Sequence, residues 1–150
     1  MSIFSIHKRL KTLDIYKKRR NTFISKKESV LIVEDEIIIA LDIKQTVESL
    51  GFFILGIISS GEKSIEEVPK ICPDIILMDI KLSGKIDGVK AAKRIYSKYN
   101  IPSIFITAYS DEKTLERIKG NDMFYSISKP FSEYELSDTI NKTIEKFRMS

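Results

Sequence analysis

From Val30 onward, short apolar runs rich in β-branched residues alternate with stretches whose apolar positions recur every three or four residues. The run VLIV (30–33) reads as a strand and ends in Glu34-Asp35-Glu36. Ala40, Ile43, Val47 and Leu50 then fall at helical spacing, with Gly51 as a natural stop. FFILGII (52–58) predicts a second strand, closed by Ser59-Ser60-Gly61. A helix through Ile65 and Val68 follows, which Pro69 is expected to end or distort. DIILMD (74–79) is the third strand and LSGKIDG (82–88) a loop, with Asp87-Gly88 as turn and helix start. Val89, Ala92, Ile95 and Tyr99 mark the next helix, ended by Asn100 and Pro102. SIFIT (103–107) is strand four, Leu115 and Ile118 suggest a helix, and FYSIS (124–128) is strand five. Leu136, Ile140, Ile144 and Phe147 give a last amphipathic helix. Five strands alternating with five helices predict an α/β fold, a doubly wound parallel sheet.

One residue breaks the apolar logic. Asp79 closes the run Ile75-Ile76-Leu77-Met78, where an unpaired carboxylate costs several kcal/mol. In an open parallel sheet, ligands bind beyond the carboxyl ends of the strands. Glu34 and Asp35 end strand one, Asp79 strand three and Thr107 strand four, while Lys129 follows strand five. In the order 2-1-3-4-5, strands one and three are neighbours, and three carboxylates crowd together. Like charges that close cannot all ionise unaided. A hard divalent cation, magnesium above all, resolves the conflict, and with Lys129 it balances the site formally. Singly, Asp79 could be a cap, Glu34 a loop acid, Thr107 a strand former and Lys129 a solvated lysine. Their shared position at strand ends is what points to a metal-dependent pocket.

Length and charge sharpen this picture. The 150 residues suffice for one compact domain and little more. No stretch approaches the roughly 20 apolar residues of a membrane span, and the N-terminus lacks the apolar core of a signal peptide. Cys72 is the single cysteine, so no intrachain disulfide forms and cytoplasm is the default. It reads as a small hydrophobe. His7, the single histidine, has no partners at zinc-ligand spacing. The net charge of +4 is uneven: residues 1–29 hold nine Lys/Arg against two Asp/Glu, and residues 30–150 sixteen against nineteen. The domain is therefore mildly acidic, a poor match for nucleic-acid binding. Residues 1–28 read as a basic arm, flexible or a short helix through Ile3, Ile6, Leu10 and Leu13, followed by KKRR (17–20). Residues 29–150 form the domain.

Four motifs, VLIVEDE, PDIILMDIKLSGKIDG, IFITAYSD and ISKPF, occur in order and at suitable spacing. Together they resemble the receiver domain of two-component response regulators, over residues 29 to about 147. The likeness is strongest to receivers carrying MDI-L-G--DG and TAYSD, and it suggests a single-domain, chemotaxis-regulator-like protein. It implies a flavodoxin-like receiver fold with strand order 2-1-3-4-5. It also implies that Asp79 takes a phosphoryl group from a phosphohistidine. Asp35 and Asp79 would ligate Mg²⁺ directly, the Lys81 carbonyl would complete the protein ligands, and Glu34 would act through water. Thr107 and the backbone at Ala108 would hydrogen-bond the phosphoryl group, and Lys129 would pair with it across a cis Lys129–Pro130 bond.

The expected function is thus a phosphoacceptor that switches partner binding, not an enzyme beyond self-phosphorylation and autodephosphorylation. Its expected partners are a sensor histidine kinase or phosphotransfer protein and a downstream protein. Only Met149 and Ser150 follow the last helix, so no C-terminal DNA-binding domain is expected. The alternative is a constitutive receiver-like adaptor, binding nucleic acid or anionic membrane through the basic arm. An Asp-nucleophile phosphatase would want a second Asp two residues after Asp79, where Lys81 stands. One position departs from the pattern: three residues before Lys129, where receivers usually carry Tyr or Phe, stands Ser126. Tyr125 precedes it and should face the other way.

Overall fold

The computed structural model describes residues 27–108, 112–120 and 124–150. Most of the basic arm, with His7 and the KKRR run, lies outside the described residues, as does Tyr109. The strands are β1 (Ser29–Val33), β2 (Phe53–Ile58), β3 (Ile75–Asp79), β4 (Ser103–Thr107) and β5 (Phe124–Ser128). The helices are α1 (Ile37–Ser49), α2 (Gly61–Ile71), α3 (Gly88–Tyr99), α4 (Glu112–Ile118) and α5 (Glu133–Met149). All strand pairs are parallel, in the order β2-β1-β3-β4-β5. This is the flavodoxin-like arrangement that the sequence predicts.

The three inner strands are covered on both faces, which is why their sequences are almost wholly apolar. Alternate side chains divide between two layers. Val30, Ile32, Leu77, Ile104 and Ile106 pack with Ala40 and Ile43 of α1 and with Leu136 and Ile140 of α5. Leu31, Val33, Ile76, Met78 and Phe105 pack with Val68 of α2 and with Val89, Ala92 and Ile95 of α3. At the β1–β2 edge the register slips after Val30↔Ile54 to Leu31↔Gly56, so Leu55 is an extra residue that bends the edge strand.

Helix starts follow their capping residues. Ser60, Asp87 and Ser132 each accept the backbone N–H three residues on, opening α2, α3 and α5. Asn100 closes α3 in the left-handed region at φ 58°, as its position predicts. Of the two expectations for Pro69, that it ends or distorts its helix, the first is corrected: the helix continues past it. Pro69 lies in the final turn of α2, where its missing N–H forfeits one bond, and the helix runs on to Ile71. Buried Val68 and the left-handed Cys72, whose N–H donates to Val68 O at 2.8 Å, carry the chain past it. Among the described residues, no helix is long and apolar enough to cross a membrane.

Candidate functional site

The polar residues singled out at the strand ends meet at one rim because the strands run parallel. Val33 pairs with Met78, so the next residues on each strand, Glu34 and Asp79, emerge side by side. Asp79 in turn pairs with Ile106, one residue before Thr107, and Thr107 pairs with Ser128, one residue before Lys129. The result is a group of three acids, Glu34, Asp35 and Asp79, each offering an oxygen within 4.8 Å of the others. Lys129 Nζ lies 3.7 Å from Glu34 Oε2.

Each acid is held differently. Glu34 is 3% exposed. Its N–H extends the sheet by donating to Ile58 O at 2.9 Å, and its Oε1 accepts the Glu36 N–H at 3.1 Å. Burial, reinforced by the charge of Asp79, pushes its carboxyl up to about 7 despite the Glu36 N–H and Lys129. Asp79 is also raised, by burial first and by the Asp35 charge, against the pull of Lys129 and the N–H groups of Ile80 and Lys81. Asp35 goes the other way: burial, the largest single influence, raises it, but hydrogen bonds from Ser83, whose N–H meets Oδ2 at 3.1 Å, and from Glu34 together outweigh it and leave it lowered. Three crowded carboxylates, two of them disfavoured in ionised form, make an all-oxygen donor set that suits a hard divalent cation.

Thr107 is buried at the end of β4, and its carbonyl accepts the Lys129 N–H at 2.9 Å, which ties the lysine to the rim. Ala108 follows it, exposed, and Lys81 lies exposed two residues beyond Asp79. The Lys129–Pro130 bond is cis, as expected. The structure therefore assembles Glu34, Asp35, Asp79 and Lys129 into one cluster and sets Thr107 on the same edge.

Three residues gain a part that the sequence reading did not give them. Gly88 was read only as a helix start, yet α3 begins directly against the main chain of Asp79, with Gly88 N–H donating to Ile80 O at 2.9 Å. Asp87, besides capping α3, forms a two-pronged ion pair with Arg117 of α4 at 2.6 and 3.0 Å. Glu62, in the first turn of α2, accepts two N–H groups from the loop that follows Asp79. No local pattern signals the last two contacts, which span 30 and more than 20 residues.

The family model for the response regulator receiver domain matches residues 30–141. The transcriptional regulatory protein PdtaR of Mycobacterium tuberculosis is 33% identical over 119 residues, covering 79% of this chain and 58% of PdtaR. The phyllosphere-induced regulator PhyR of Methylorubrum extorquens is 32% identical over 116 residues, covering 77% of this chain and 43% of PhyR. The chain thus spans about half the length of these curated relatives. Among solved structures, the signal receiver domain of a modulated diguanylate cyclase from Desulfovibrio desulfuricans G20 superposes with a TM-score of 0.78 at 37% identity. That match covers 83% of this chain and 98% of the other.

Proposed function

The chain belongs to the response regulator receiver domain family, and from that premise we propose that it is a phosphoacceptor whose Asp79 takes a phosphoryl group from a histidine kinase or phosphotransfer protein. The observation that carries this reading is the cluster of Glu34, Asp35 and Asp79 oxygens within 4.8 Å, with Lys129 at its edge. Asp35, Asp79 and the Lys81 carbonyl would hold Mg²⁺, with Glu34 acting through water. When bound, the ion supplies positive charge against the phosphoryl oxygens.

The chain's own residues do the rest. An Asp79 oxygen attacks phosphorus, and the P–N bond of the donor phosphohistidine breaks with its electron pair leaving on the imidazole nitrogen. No general base is required, because the attacking carboxylate carries no proton when ionised; burial works against that form, and Lys129, with Mg²⁺ when bound, would favour it. The Thr107 hydroxyl and the Ala108 N–H donate to phosphoryl oxygens. Lys129 moves its charge from Glu34 to the new group as a compact cation. Phosphorylation replaces one negative charge with nearly two and biases the surface that a downstream protein reads. The setting is cytoplasmic, where such a donor works.

Asp79→Asn tests the reading. The variant should fold normally yet take no phosphoryl label from acetyl phosphate and Mg²⁺, measured by intact mass. Stoichiometric labelling of the variant, or labelling of the wild type at full rate in EDTA, overturns it.

A further inference from the structure

The loop from Ile80 to Asp87 connects the candidate phosphoacceptor to α3 and carries the Lys81 carbonyl. At its start the Ile80 and Lys81 N–H groups face the Asp79 carboxylate, and Leu82 N–H and Gly88 N–H both return to Ile80 O, at 3.2 and 2.9 Å. Its middle is held from outside by two carboxylates on other elements. Asp35 Oδ2 accepts the Ser83 N–H at 3.1 Å. Glu62 Oε1, projecting from the first turn of α2, accepts two further N–H groups, those of Lys85 at 2.5 Å and Ile86 at 3.0 Å.

The backbone between these anchors is shaped around Glu62. Gly84 sits at φ +121°, and a Cβ there would lie 2.8 Å from Glu62 Oε2. The carboxylate fills the space that a side chain would take, and only glycine accepts the backbone angle. The neighbouring contact is also tight: a Cβ on Gly61 would stand 3.1 Å from the Ile86 side chain and 3.2 Å from Ala91 Cβ. The start of α2 is thus fitted directly to the loop and to α3. The N–H groups of Glu62 itself, Lys85 and Ile86 hold its carboxyl below the ordinary range.

We propose that Glu62 is a positioning residue for the acid rim: it fixes the loop so that the Lys81 carbonyl and the Ser83–Asp35 contact are presented to Mg²⁺. The inference rests on the metal-binding part of the proposed function. Ser83 lies between Lys81 and Lys85, two residues from each, so slack at the Glu62 anchor reaches both the carbonyl and the Asp35 orientation. Groups that orient metal ligands from behind typically cost 10- to 100-fold in metal affinity when removed. Glu62→Ala is therefore expected to weaken Mg²⁺ binding about 10-fold or more. Glu62→Gln keeps an acceptor oxygen at the same reach and is expected to bind nearly as the wild type does.

The experiment titrates Mg²⁺ alone into the full chain by calorimetry and follows the Ser83 and Lys85 amides by NMR, with thermal midpoints measured in EDTA. Support is a weakened Glu62→Ala, a near-normal Glu62→Gln and unchanged metal-free midpoints. Equal affinity in Glu62→Ala and wild type overturns the inference and leaves the proposed function standing. A Glu62→Gln variant as weak as the alanine also overturns it. A wild type that binds no Mg²⁺ overturns the metal-dependent reading itself. If the alanine variant fails to fold, Glu62→Asp, one methylene short of the loop, replaces it, and wild-type affinity there is the overturning result.

Discussion

Gly88 lies so close to Asp79 that a Cβ on it would stand 1.8 Å from the Asp79 carbonyl oxygen. The first residue of α3 is therefore in contact with the main chain of the candidate phosphoacceptor, and only a missing side chain permits it. Gly88→Ala forces strand end and helix apart. It should lower stability by about 1–3 kcal/mol, as overpacking does, and shift the Asp79 amide. Urea unfolding and a proton–nitrogen NMR spectrum check this, and a wild-type midpoint would contradict it.

The Asp87–Arg117 pair gives a pH signature. Burial pushes the Asp87 carboxyl up, but the Arg117 fork and the Lys90 N–H more than offset it, leaving it below the usual 3.8. Because the folded value is depressed, the unfolded chain takes up this proton first. The pair's contribution is complete above about pH 4 and disappears as pH falls through the folded value. Both side chains are about one-third exposed, so the contribution is about 1 kcal/mol at most. Arg117→Ala should lose that amount at pH 7 and show a shallower decline in stability below pH 4 than the wild type. Parallel acid limbs for the two proteins would refute it.

Ser126 sets the expected strength of the switch. It shares the β4–β5 register with Phe105, on the face that carries Thr107, and opens onto a groove of about 420 Å³ beside Leu115, Ile118 and Phe124. Tyr125 points to the opposite layer, its ring 5.6 Å from Lys146 Nζ, and it borders the groove from that side rather than from the Thr107 face. A serine offers little surface that could distinguish two states. Beryllofluoride should therefore change amide exchange in α4 and β5 only weakly, and Ser126→Tyr should enlarge the change. Strong protection in the wild type that the tyrosine does not increase would count against this.

The basic arm should be dispensable for folding and labelling. A chain beginning at Lys27 keeps every strand, the acid rim and the Glu28–Arg148 ion pair that joins the start of β1 to the end of α5. Its thermal midpoint and Mg²⁺-dependent labelling should match the full chain. A large fall in either would mean that the arm is an integral part of the domain.

The amino-acid sequence by itself determined the five strands, the five helices and the rim. Side-chain period records which face of an element is buried, and residues that end parallel strands must emerge on one edge. Glu34, Asp35, Asp79, Thr107 and Lys129 were legible for that reason, and Asn100 and Asp87 were legible as caps because capping is local. Tertiary packing decided what lies between elements. It set Lys129 on Glu34, pushed the Glu34 carboxyl to about 7, and let α2 run through Pro69. It also brought Glu62 and Arg117 onto the loop and helix start that follow Asp79, and pressed Gly88 against its carbonyl. Those relations depend on distances between loops and helix ends far apart in the chain. No periodicity encodes such distances; the packing of helices on the twisted sheet sets them.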